Sequence, residues 1–207
     1  MPRGRFISLD GIDGCGKSTQ ARLLADWLRG RGYEVTECAD PGGTATGNEI
    51  RTLLLHCRHA MTGRCEALLF MASRAELVAE VIEPALNAGR LVVADRYLLA
   101  NVAYQGYAAG LPPEELWQIG HFATAGVKPD LTFVLDLPTE VARARRLRVS
   151  DRLESRDEEF HRRVRAGYLE EARRQPACIR VIDATQSVEA VRGAICGVLD
   201  GWLAQTR

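Results

Sequence analysis

Eight residues, Gly11 to Ser18, constrain this chain more than any others. Their sequence, GIDGCGKS, fits the pattern G-x-x-x-x-G-K-[ST]. The flanks give the pattern meaning. Phe6-Ile7-Ser8-Leu9 is a short apolar run that reads as a buried strand, and beyond the loop Leu23, Leu24, Trp27 and Leu28 recur at helical spacing. Strand, glycine-rich turn and helix start together make a cradle for a polyphosphate. Gly11, Gly14 and Gly16 let the backbone approach closely and take dihedrals that a side chain forbids. The first helical turn adds unpaired N–H groups and a partial positive charge. Lys17 can reach the β- and γ-phosphates, and the Ser18 hydroxyl is a hard oxygen ligand for Mg²⁺. The expected triphosphate contact runs through Gly11, Ile12, Asp13, Gly14, Cys15, Gly16, Lys17, Ser18 and Thr19.

Lysine usage points to the same residue. The chain has 25 Arg and only two Lys, Lys17 and Lys128. A sequence that otherwise prefers Arg keeps Lys inside the loop. Arg is a broad planar fork, whereas Lys is a compact charge on a thin stem, as a narrow phosphate cradle requires.

At 207 residues one domain is expected. Formal net charge is +0, so there is no global field for nucleic acid and any anion site must be local. No apolar run is long enough for a membrane helix and no secretory h-region opens the chain, so a cytoplasmic location is expected. The six cysteines form no C-x-x-C pair and read as free thiols.

Further apolar runs read as strands at Tyr33–Glu37, Leu91–Ala94, Leu131–Leu137 and Ile179–Ile182, with helical patterns between them. Five strands alternating with helices argue for an α/β fold, a parallel sheet covered on both faces. Ligands in such sheets bind at the carboxyl ends of the strands. Asp40-Pro41-Gly42-Gly43-Thr44 forms a turn at one such end, and a helix from Asn48 to Leu55 carries Arg51. Cys65–Leu86 is expected as one long helix ending near Pro84 or Gly89, with a core stripe of Leu68, Leu69, Ala72, Leu77, Val78 and Val81. Phe70 and Arg74 share a face of that helix at i, i+4. Asp95 and Arg96 end the third strand. The carboxylate could hold an Mg²⁺-bound water, and the guanidinium suits a phosphate. Asn101, Tyr104 and Gln105 share one face of a short helix. Helices are also expected at Glu114–Ala125, Glu158–Arg174 and Val188–Leu203. Arg143, Arg145, Arg146, Arg148 and Arg152 crowd against one acid, Asp151, a pattern suited to a mobile lid over phosphates at about 143–156.

Taken in order, GIDGCGKST, DPGGT, EALLFMASR, DRYLLANVAYQGY, KPDLTFVLDL, DRLE and VIDA make the chain resemble bacterial thymidylate kinases over nearly its whole length. The resemblance implies the P-loop NTPase three-layer fold with an arginine-rich lid, transfer of a phosphoryl group from ATP to dTMP with Mg²⁺, and a homodimer formed through helices that include the long one. It implies that Phe70 stacks on thymine and Arg74 bonds a thymine carbonyl. Asn101 and Gln105 would read or support the base edge, Tyr104 would lie against the sugar, and Arg96 would hold the dTMP phosphate. Asp13 would sit near the sugar and acceptor phosphate, and Asp40 and Arg51 near the acceptor nucleotide. Ser18 and Asp95 form the expected metal side. One style of this family carries arginine in the loop where this chain has Gly14, and the other takes it from the lid. This chain resembles the second, with Arg145, Arg148 and Arg152 as candidate catalytic arginines beside Lys17 and Arg96, and with Arg143 toward ATP.

Two departures stand out. Ala39-Asp40 occupies the place of the usual Arg-Glu, and the shorter acid is expected to reach its partner through water. Cys15 replaces a small residue, and beside Lys17 and the helix N–H groups its thiol is expected to be unusually reactive. Rival readings are another nucleoside or nucleotide kinase, a GTP-hydrolysing switch and an inactive binding protein. The switch needs Asn-Lys-x-Asp, but Lys128 precedes Pro129. Intact Lys17, Ser18, Asp95 and Arg96 speak against the inactive protein.

Overall fold

The computed structural model describes residues 3–57, 59–145 and 152–204. Five strands, β1 (Phe6–Asp10), β2 (Val35–Ala39), β3 (Leu91–Asp95), β4 (Leu131–Asp136) and β5 (Ile179–Asp183), form one parallel sheet in the order β2-β3-β1-β4-β5. The helices between them are α1 (Lys17–Arg29), α2 (Ala45–His56), α3 (Gly63–Leu77), α4 (Glu83–Asn87), α5 (Leu98–Asn101), α6 (Pro113–Ala123), α7 (Thr139–Arg145), α8 (Glu158–Arg174) and α9 (Val188–Ala204). All five expected strands are present within two residues of their expected limits.

The central strand β1 is buried at every position, whereas the edge strands β2 and β5 are only partly buried. A strand covered on both faces reads as a continuous apolar run, which is why β1, β3 and β4 were the plainest in the sequence. Alternate residues feed two cores. Ile7, Leu9, Val93 and Phe133 pack with Leu24 and Leu28 of α1, Val164 of α8 and Ile195 of α9. Phe6, Val92 and Ala94 pack with Met71, Leu77 and Ile82 on the other side. With β1 central, the chain turns one way through β3 to β2 and the other way through β4 to β5. The crevice where these directions part lies at the carboxyl end of β1, where the glycine loop begins.

The long helix differs from its expected form. A π-helical turn, Val78–Ile82, separates α3 from α4, and the Glu83 N–H bonds the Val78 carbonyl. This widening lets the chain pass Pro84, which has no N–H to give, and α4 ends at Asn87 just before Gly89 at φ +76. The core stripe also moves. Leu68 is 55 % exposed and Ala72 is exposed, while Ala67, Met71, Leu77, Val78 and Ile82 are buried together with Glu66, Ser73 and Arg74. Periodicity finds apolar residues, but the inner face of α3 spends three positions on polar groups, so the apolar stripe lies one residue around. A second π-helical stretch, Val102–Ala108, follows α5 where a plain short helix was expected. Among the described residues no helix is long and apolar enough to cross a membrane.

Candidate active site

The loop between β1 and α1 takes its shape from glycine. A Cβ on Gly11, at φ +140, would lie 2.6 Å from the Leu135 carbonyl oxygen and 2.8 Å from Cys15 Sγ. Gly16 caps α1 in the left-handed region, at φ 96 and ψ 16, and no side chain caps the helix. The first turn of α1 contains no acid, so its N–H groups and partial positive charge face the loop uncompensated. Lys17 is buried and folds back, with Nζ donating to the Ile12 carbonyl at 2.9 Å and lying 3.8 Å from Asp13 Oδ1. The Ser18 hydroxyl donates to Asp95 Oδ2 through a very short bond, which brings the two expected metal-side oxygens together.

Arg96 closes the loop from the other side. It follows β3 at φ +71, a conformation that costs a non-glycine residue on the order of 1 kcal/mol and needs the surroundings to impose it. They do so at both guanidinium ends. Nη1 donates to the Gly11 carbonyl at 2.9 Å and to the Tyr168 hydroxyl at 3.1 Å. Nη2 pairs closely with Asp13 and donates to the Tyr104 hydroxyl at 3.2 Å. Tyr104 in turn donates to Asp13 Oδ2 at 2.8 Å. Burial alone would raise the Asp13 carboxyl, but Arg96 and then Lys17 outweigh it and hold the group well below the usual carboxylate range. Asp13 is therefore a fixed anion between two cations, on the loop's inner side.

A cavity of about 470 Å³ opens here, large enough for a nucleotide-sized ligand. Its lining includes the loop residues Asp13, Gly14, Gly16, Lys17, Ser18 and Thr19, with Asp95 and Arg96. The same lining has Asp40, Arg51, Phe70, Arg74, Asn101, Tyr104 and Gln105. The expected donor-side and acceptor-side residues thus meet in one space. The π-helical stretch keeps Asn101 and Gln105 adjacent, with Asn101 Nδ2 donating to Gln105 Oε1 at 3.0 Å. Arg51 donates to the Pro41 carbonyl at 2.6 Å.

Three comparisons bear on this arrangement. A family model described as Thymidylate kinase matches residues 9–195. The chain is 48% identical over 188 residues to the thymidylate kinase of Kosmotoga olearia, covering 90% of each chain. It is 48% identical over 202 residues to that of Leifsonia xyli subsp. xyli, covering 96% of this chain and 95% of the other. The chain belongs to the thymidylate kinase family. Its fold matches the crystal structure of thymidylate kinase from Ehrlichia chaffeensis with a TM-score of 0.81 at 31% identity, covering 96% of this chain and 99% of that one.

Within this thymidylate kinase framework several expectations change. Asp40 meets Arg74 directly, Nε to Oδ2 at 2.5 Å with both side chains buried, so no water is needed to span the distance. The short acid suffices because α3 brings Arg74 onto the turn after β2, where Asp40 precedes the cis-proline Pro41. Cys15 is also corrected: its thiol is buried, and burial pushes its pKa up despite Lys17 3.9 Å away. Lys17 and Arg96 do pull the thiol pKa down, but loss of solvation under the Gly11 backbone outweighs them.

The arginine-rich segment is divided. Arg145 lines the cavity and donates to the Ala184 carbonyl at 2.9 Å. Arg143 is exposed on α7. Arg148 lies outside the described residues. Arg152 donates from Nε to the Leu54 carbonyl at 2.9 Å and pairs with Glu66 at 2.5 Å. Residues to which the sequence motifs gave no role also belong here. Tyr168 of α8 holds Arg96, and nothing in a helix pattern distinguishes it. Leu153 and Glu154 line the cavity, and Glu66, four before Phe70 on α3, sits behind it.

Proposed function

We propose that this chain transfers the γ-phosphoryl group of ATP to dTMP, giving ADP and dTDP, with Mg²⁺. Family membership supports phosphorylation of dTMP to dTDP. The observation that carries the fuller reading is the convergence in one cavity of Lys17, Ser18, Asp13 and Arg96 with Phe70, Arg74, Asn101 and Gln105. The first group suits phosphates and the second a pyrimidine with its sugar.

The acceptor needs no strong base, because a phosphate monoester has its second pKa near about 6 and is mostly dianionic at neutral pH. The difficulty is electrostatic: two anions must meet in line while charge spreads over the transferred group. Lys17 would leave the Ile12 carbonyl for the β- and γ-phosphates, and Arg96 would hold the acceptor phosphate, each cancelling charge where it develops. Ser18 and Asp95, hard oxygen donors already in contact, fit Mg²⁺, with Asp95 acting through water; the ion would add positive charge at the phosphate oxygens. Asp13 would orient Arg96 and face the sugar, where Tyr104 also lies. Phe70 would stack on thymine, and Arg74, held by Asp40, would donate to a base carbonyl, with Arg51 near the acceptor nucleotide.

We read residues 1–207 as one kinase domain whose lid, about 143–156, excludes water and brings arginine to the reaction. Gly14 in the loop supports the subtype that takes this charge from the lid. Among the described lid candidates Arg145 lines the cavity, and Arg143 suits the ATP side. A cytoplasmic homodimer fits this reading, with the exposed Leu68 and Ala72 of α3 on its contact face.

A coupled ADP-release assay with dTMP, dUMP and dCMP tests the function. We expect dTMP to give the highest kcat/KM; preference for the cytidine nucleotide overturns the reading.

A further inference from the structure

We infer that Glu66 determines base specificity as a positioning residue, by fixing the direction of an amide relay that ends at the cavity. Glu66 lies on the first turn of α3 and is 2 % exposed. Its Oε1 accepts from Gln105 Nε2 at 2.8 Å, and Gln105 Oε1 accepts from Asn101 Nδ2 at 3.0 Å. Asn101 Oδ1 is then left with no partner among the described residues, although Asn101 is buried. Asn101 and Gln105 both line the cavity. The second oxygen of Glu66, Oε2, lies 2.5 Å from Arg152 Nη2 and 3.8 Å from Arg156 Nη2.

A primary amide carries an acceptor at one end and donors at the other, so two amides in series can run in either direction. A carboxylate only accepts. Glu66 therefore turns the Gln105 amino group toward itself. That turns the Gln105 oxygen to the Asn101 amino group and leaves the buried Asn101 oxygen as the unpartnered acceptor. Such an acceptor suits the N3–H donor of thymine or uracil. It opposes cytosine, whose N3 is a lone pair. The inference rests on the reading that the acceptor base lies against Asn101 and Gln105. It adds that an acid out of contact with the base selects the pyrimidine.

Glu66→Gln tests this with almost no change in shape. Arg152 offers only donors and is anchored to the Leu54 carbonyl, so the new amide must turn its oxygen to Arg152 and its amino group to Gln105. The relay then reverses, and Asn101 presents donors. We expect the dCMP-to-dTMP ratio of kcat/KM to rise at least about tenfold, because a site built around one hydrogen-bond polarity discriminates strongly against the other. The dUMP-to-dTMP ratio should hold, since both bases carry the N3–H donor. Glu66→Asp, still acceptor-only, should keep the wild-type dCMP ratio while lowering both rates. Should Glu66→Gln fail to fold, Gln105→Met severs the relay and leaves the Glu66–Arg152 pair intact, and the same rise is expected. An equal fall for dTMP and dCMP, or no change in their ratio, overturns the inference. Wild-type protein that does not phosphorylate dTMP would instead refute the broader reading, before any variant is compared.

Discussion

Replacing Arg74 by Met should destabilise the protein by about 3–5 kcal/mol even though Met can follow much of the same path, because it strands a buried carboxylate. Asp40 Oδ2 accepts from Arg74 Nε at 2.5 Å, the two side chains are 0% and 1% exposed, and Asp40 Oδ1 has no hydrogen-bond partner among the described residues. Arg74 is thus the one cation in contact with this carboxylate among the described residues. At an effective dielectric near 20 the attraction is on the order of 5 kcal/mol, and desolvation of both ions offsets most of it, so the pair itself adds little net stability. The loss comes from breaking one side. Asp40→Asn should cost about 2–3 kcal/mol by leaving the guanidinium unneutralised. The double variant removes both charges and should cost about 2 kcal/mol, far less than the sum, giving a coupling energy of about 3–6 kcal/mol. Urea unfolding followed by tryptophan fluorescence, with m-values compared across the four proteins, measures the cycle. A coupling energy below about 0.5 kcal/mol would refute the reasoning and leave Arg74 held by packing against Met71 and Tyr97 instead.

Three other outcomes follow from the site. Lys17→Ala should lower turnover at least about a thousandfold with little change in the urea midpoint, since among the described residues Nζ meets a carbonyl, the Cys15 sulfur at 3.9 Å and a carboxylate at 3.8 Å; near-normal turnover removes Lys17 from the chemistry. Cys15 should react with iodoacetamide much more slowly than the exposed Cys65, because burial raises its pKa and shields it; peptide mass spectrometry showing equal labelling would contradict this. Burial pushes the Asp10 carboxyl up from 3.8 to about 7, against the pull of Arg96 and Lys17. Folding therefore takes up a proton between those values, and stability from this group falls as pH rises from about 4 to about 7, then levels off. Relative to Asp10→Asn, the wild type should lose up to about 4 kcal/mol between pH 4 and pH 8; a pH-independent difference in urea stability would show that Asp10 does not titrate this way.

Local chemistry determined much of this protein. The central strands are apolar throughout because both faces are covered, and the loop from Gly11 to Ser18 needs its glycines for their backbone angles and close approach. Both signals are short in range and survive in a one-dimensional string. The loop and strand-end residues that line the cavity were visible for the same reason, as were Phe70 with Arg74 and Asn101 with Gln105, whose spacing places each pair on one helical face. Tertiary structure decided the pairings across the chain. Asp40 reaches Arg74 because α3 crosses the turn after β2. Cys15 is buried because the Gly11 backbone packs over it, although its sequence neighbours suggest an exposed, reactive thiol. The inner face of α3 carries Glu66, Ser73 and Arg74 toward the site, which displaced the apolar stripe that periodicity implied. Glu66 itself gains meaning only when folding places Gln105 on one of its oxygens and Arg152 on the other, contacts separated by 39 and 86 residues of chain. Hydrogen-bond direction and burial depend on which distant groups meet, and no local pattern encodes that.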